Sequence, residues 1–94
     1  MTDTDLLVML KTDLGISTAT AYDKRLAEYL ASARSDISRE GIVLEDNIED
    51  NQIVVQYAAW MWRARKTGEA MPRMLRYKLN NRLFSQKMRG DQNG

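Results

Sequence analysis

Four stretches of this chain repeat apolar residues at helical spacing, and three of them stop at a glycine. In the first, Leu6, Leu7, Leu10 and Leu14 fall on one face, as in an amphipathic helix. Thr4 is a suitable N-cap, with acids in and before the first turn. Gly15 stands where a left-handed residue closes a helix, and Ile16 can make the apolar contact that often follows. The pattern predicts a helix over 5–14. In the second stretch, Thr20 and Asp23 form an acidic variant of the capping box, and Gly41 ends a helix over 20–40. Tyr22, Leu26, Tyr29, Leu30, Ala33 and Ile37 share an arc of ~100°, with Lys24, Glu28, Ala31, Ser35 and Arg39 opposite. That helix is one-sided and faces the core.

Ile42, Val43 and Leu44 read as a short extended piece tucked against the helices; one strand alone makes no sheet. The third helix, over 50–66 with Gly68 just beyond, carries Ile53, Tyr57, Trp60, Met61 and Ala64 on its main face. Val54, Val55, Ala58, Ala59 and Trp62 spread apolar surface over most of the rest, leaving Gln56 and Arg63 a narrow polar arc. A helix apolar nearly all round is central and buried, wrapped by its neighbours, by another subunit, or by both. Met71-Pro72 opens the fourth helix, because proline suits a first turn. It is expected over 72–88, followed by a disordered tail at 89–94 whose Arg-Gly-Asp triplet is a chance match. The expectation is a single all-α domain over 1–94, a bundle of four helices with helix 3 at its centre.

The fourth helix has more apolar surface than one docking face requires. Leu75, Leu79 and Leu83 make one stripe, while Met74, Tyr77, Phe84 and Met88 gather roughly opposite. Arg73, Arg76, Asn80 and Lys87 fill one gap between them; Lys78, Arg82 and Arg89 fill the other. Two stripes imply two packing partners, and aromatic, Met and Arg residues are enriched at interface cores. The candidate interface is therefore Trp62, Arg73, Arg76, Tyr77, Asn80, Arg82, Phe84, Lys87 and Met88. The competing reading is a second shell of packing within one molecule, with long basic side chains lying along apolar surface.

Composition narrows the chemistry. There are no cysteines and no histidines, which removes thiolate chemistry, the commonest general base and the commonest transition-metal ligand. The acidic run Glu45, Asp46, Glu49, Asp50 lacks the alternating acids, central Gly and distant Glu of a calcium loop. Glu49 and Asp50 are read instead as complementing the helix-3 N-terminus, with the others solvated. No catalytic residue, cofactor or metal is expected, and the chain is not read as an enzyme. No window approaches a membrane span, and Asp3 and Asp5 stand where an export signal needs bases. The net charge of +1 hides an asymmetry: residues 1–52 hold eleven acids against five bases (−6), and residues 53–94 hold nine bases against two acids (+7). Such halves either pair within one molecule, stay solvated, or meet between molecules.

The order of elements resembles the small head–tail connector (adaptor) proteins of tailed bacteriophages. The likeness rests on Leu6 to Gly15, Ala21-Tyr22-Asp23, the run from Tyr57 to Arg63 and, above all, Pro72 to Leu83. It covers about residues 4–88. The resemblance implies a structural virion protein that forms a head-to-tail ring, twelvefold in the virion, beneath the portal protein. Such a ring extends the DNA channel and offers a docking surface to a further neck or tail-completion protein. It also implies residence at the neck after assembly in the host cytoplasm, non-specific contact with DNA in the lumen, and residues 71–94 reaching toward the portal. The alternative is a small helix-turn-helix-like DNA-binding packaging or regulatory protein. Against it, the bases of the fourth helix occupy two faces and the sequence pI is about 8.0, below the usual footprint of such domains.

Overall fold

The computed structural model describes residues 1–93, with side chains through Gly90. It is an all-α bundle: α1 Asp3–Asp13, α2 Asp23–Arg39, α3 Ile48–Thr67 and α4 Arg73–Asn93, with no strand among the described residues. α3 packs against all three other helices, and α1 also packs against α2. The expected central helix is therefore central within one subunit. α4 leans on α3 alone among the main helix pairs, which leaves most of its circumference uncovered. The molecule measures 48 × 29 × 18 Å with a radius of gyration of 14.0 Å, against ~12 Å for a compact domain of this length. No described helix is long and apolar enough to cross a membrane.

The core follows the sequence stripes. Leu6 and Leu10 from α1, Leu26, Leu30, Ala33 and Ile37 from α2, and Leu75 and Leu79 from α4 are buried around Ile53, Val54, Tyr57 and Ala58 of α3. Ile42 of the connector is buried among them and Leu44 packs against their edge, while Val43 points out.

Several helix ends differ from expectation. The N-cap of α1 is Thr2, not Thr4: Thr2 Oγ1 accepts from the Asp5 amide at 3.1 Å, and Asp5 Oδ2 accepts from the Thr2 amide at 3.0 Å. This reciprocal box satisfies two otherwise orphan donors. The box expected at Thr20 and Asp23 does not form; Tyr22 precedes α2 without a side-chain cap. Asp23 instead lies 2.9 Å from Lys11 Nζ of α1, an ion contact across the helix pair. The C-terminus of α1 matches expectation. Gly15 adopts φ +74, its amide reaches Thr12 O and the Ile16 amide reaches Lys11 O, the paired bonds of a Schellman closure. α4 runs past the expected end at Met88 to Asn93. The side chains of 91–94 in the expected tail lie outside the described residues.

Leu79 is wholly buried at the α3–α4 contact, whereas Leu83 is only partly so. Leu79→Ala is expected to cost about 2–5 kcal/mol, a fall of roughly 10 °C or more in Tm for a domain of this size. Leu83→Ala is expected to cost clearly less. Thermal and urea unfolding of the two variants check the order.

Candidate interaction surface

Which face of α4 is shown to solvent is decided by a polar seam. Leu75, Leu79, Arg82 and Gln86 follow one another at spacings of four, three and four, so they line the same side of the helix. Arg82 is 3% exposed and Asp50, in the first turn of α3, is 1% exposed. Arg82 Nε donates to Asp50 Oδ1 at 2.7 Å and Nη2 donates to Oδ2 at 3.0 Å, a fork-to-fork ion pair. Burial pushes the Asp50 carboxyl up, but the hydrogen bonds from Arg82 and the Glu45 amide and the Arg82 charge outweigh it; the carboxyl titrates below its ordinary value.

The same groups hold the connector between α2 and α3. Glu45 N donates to Asp50 Oδ2 at 2.8 Å, and Arg82 Nη2 donates to Val43 O at 2.8 Å. Gln86 Oε1 accepts from Val43 N and its Nε2 donates to Gly41 O, each at 2.8 Å. A segment with no sheet partner thus finds partners for its backbone groups in side chains of α3 and α4. Asn47 caps α3, its Oδ1 accepting from the Asp50 amide at 2.7 Å. The acidic run is accordingly more engaged than expected. Asp50 is buried in an ion pair, and Asp46 accepts from Asn51 Nδ2 and from the Met1 amino group.

The candidate interface divides. Trp62 is in the core, with Tyr22 and Tyr29 edge-on at 5.2 and 5.9 Å and the Arg65 guanidinium 3.4 Å above its ring. Arg82 is sequestered by Asp50. These two are not surface residues, which corrects their placement in an exposed interface. Arg76 is exposed but paired, its Nη1 and Nη2 donating to Glu40 at 2.6 and 3.2 Å. Arg73, Tyr77, Asn80, Phe84, Lys87 and Met88 are all exposed on α4. Tyr77 is 62% exposed, Phe84 65% and Met88 45%, with Met74 beside them at 67%. The second apolar stripe is therefore uncovered by the chain itself. A groove of about 280 Å³ lies along its first half, lined by Glu49, Gln52 and Ile53 of α3 and by Met74, Tyr77, Lys78 and Asn81 of α4.

The charge asymmetry is partly spent inside the molecule. Arg63–Asp13, Arg76–Glu40 and Arg82–Asp50 each join the basic half to the acidic half. Lys78 donates to Gln56 at 3.1 Å. Among the described residues, Arg73, Lys87 and Arg89 of α4 make no ion pair or side-chain hydrogen bond. Among the described residues, no cluster of acids is arranged to hold a metal ion. Comparison with protein-family models, with characterised proteins and with solved structures found no match for this chain.

Removing one member of the buried pair, as in Asp50→Asn or Arg82→Met, is expected to cost about 3–5 kcal/mol. Replacing both with apolar residues, Asp50→Leu with Arg82→Met, is expected to recover part of that loss. Recovery stays incomplete because Val43 O and Glu45 N lose their partners. Since the folded Asp50 titrates below its unfolded value of about 3.9, its contribution is complete above that pH. It is lost as pH falls through the depressed folded value. Urea unfolding from pH 7 down to pH 2 is therefore expected to show a shallower acid decline in Asp50→Asn than in the parent.

Proposed function

We propose that this chain is a structural adaptor that works by assembly rather than catalysis, of the phage head–tail connector kind its sequence resembles. In this reading copies form a ring beneath a portal protein, extend the DNA channel and present a docking surface to a neck or tail component. The observation that carries it is the outer stripe of α4. Two aromatic side chains and two methionines lie exposed along one helix face, away from the face that docks on α3. Aromatic and Met anchors are what adhesive interfaces are built from. Burying Tyr77 and Phe84 contributes about 25 cal/mol per Å² of apolar area, a few kcal/mol per contact. Summed over the copies of a ring docked on the portal this is ample, while a single copy stays weakly bound.

A DNA-reading role draws little support from the same face. Arg76, Arg82 and Lys78 are committed to partners within the chain, and large apolar side chains interrupt what would have to be a polar reading surface.

The test is electron microscopy and sedimentation of the protein at high concentration, with and without a cognate portal. Rings or portal-bound copies are expected for the parent. Tyr77→Ala with Phe84→Ala is expected to weaken incorporation by more than tenfold while leaving unfolding nearly unchanged, because both side chains are exposed in the lone subunit. Equal incorporation of parent and double variant would remove the stripe from the assembly.

A further inference from the structure

The outer stripe has a finer order than exposure alone conveys. Met74, Tyr77, Asn81, Phe84 and Met88 follow one another at spacings of three, four, three and four, the a/d repeat of a coiled-coil seam. Over these residues the seam spans ~21 Å, two heptads of helix. All five are exposed, and they lie across the helix from Leu75, Leu79, Arg82 and Gln86, which form the inner seam. α4 thus carries two heptad seams back to back. The inner one is filled by α3 and the 41–45 connector; the outer one is exposed, and from Met74 to Asn81 it borders a groove shared with Glu49, Gln52 and Ile53 of α3. Beyond Gln86 the described residues of α4, Lys87 to Gly90, are all exposed, so a partner helix has open access along the rod.

Charge states what kind of helix fits. From Ala70 to Gly90 there is no Asp or Glu; of the bases on this segment Arg76, Lys78 and Arg82 are held by Glu40, Gln56 and Asp50, which leaves Arg73, Lys87 and Arg89 to face a partner. In the seam's own register, Lys78 and Lys87 sit at flanking e and g positions, where coiled coils choose partners by charge. Pairing α4 with another α4 brings like charges together. Among the described residues no other helix offers a reciprocal seam: α1 exposes Val8 and α3 exposes Ile48, each as its one large apolar side chain, and α2 shows none beyond Tyr22, which precedes its first turn. Asn81 occupies a central a position, where a polar side chain specifies register at a cost in affinity.

We propose that the outer face of α4 is a heptad docking seam for an amphipathic helix of a different protein, one with apolar a and d residues, acidic flanks and a polar residue opposite Asn81. This rests on the reading of the stripe as a docking surface and adds the partner's fold, charge and register. Tyr77 and Phe84 at d supply adhesion, Lys87 at g selects against basic or neutral helices, and Asn81 sets the alignment.

The experiment uses the full chain and two synthetic helical peptides of three heptads. They share Leu at a and d with one central Asn, and carry Glu or Lys at every e and g position. Binding is read by fluorescence anisotropy at low and high salt, and location by amide chemical-shift changes. The Glu peptide is expected to bind at least tenfold more tightly than the Lys peptide, to weaken as salt rises, and to shift amides along 74–88. Tyr77→Ala with Phe84→Ala is expected to abolish that binding. The parent is expected to prefer the Glu peptide over a third peptide with Leu in place of its central Asn, and Asn81→Leu to remove that preference. Equal binding of the two peptides, or shifts confined to other elements, overturns the proposal. Sedimentation of the protein alone separates the levels. Self-association that the Tyr77/Phe84 double variant abolishes, with no peptide binding, overturns the foreign partner while keeping the stripe adhesive. Absence of both overturns the seam and the docking surface together.

Discussion

The ion pair between Asp50 and Arg82 is the contact on which the presentation of this molecule depends. A buried pair of charges is not a cheap way to join two helices, and hydrocarbon of the same volume often holds as well. What the pair supplies is rotation and register. Arg82 faces Asp50, and helical geometry then sends Tyr77, Phe84 and Met88 to the far side of α4. It also meets the backbone needs of Val43 and Glu45 in a segment that has no strand beside it. Remove it, and Leu75, Leu79 and Leu83 still offer an apolar stripe, but the polar contact that remains to α3 is the part-buried bond from Lys78 to Gln56.

With α4 so aimed, the division of the chain into an acidic and a basic half acquires a structural meaning. Part of it is internal: three ion pairs tie the halves together. Of the remaining bases, Arg73, Lys87 and Arg89 sit on α4 around an apolar stripe. In the proposed interface the aromatic and Met side chains supply adhesion, and charge governs which partner approaches and in what alignment. A short core that leaves one helix largely uncovered suits a subunit completed by neighbours, because a chain of this length buries only ~60–65% of its unfolded surface by itself.

Much of this was legible from residue order. The four helices, the central place of α3 and the inward faces of α1 and α2 all follow from apolar spacing, which is a local property of the chain. The closure at Gly15 follows from a local rule as well, since few residues other than glycine accept its left-handed backbone. The two stripes of α4 were visible for the same reason. Helix starts were less so: Thr2 and Thr4 are both capping residues two positions apart, and only the observed bonds to Asp5 select one.

Trp62 and Arg82 mark where local reading stops. α3 is apolar on so many sides that periodicity does not rank its faces, and Trp62 is covered because Tyr22, Tyr29 and Arg65 happen to meet there. Arg82 carried a faint signal, a lone charge in register with Leu75 and Leu79, matched by Asp50 in register with Ile53 and Tyr57. Pairing them requires knowing that α3 and α4 lie side by side at that level, across a separation of 32 residues. Sequence by itself determined which segments are helices and that α4 has two apolar faces, because backbone preference and side-chain spacing act over one or two turns. Tertiary structure alone decided which face is hidden, because that choice is made by partners distant in the chain.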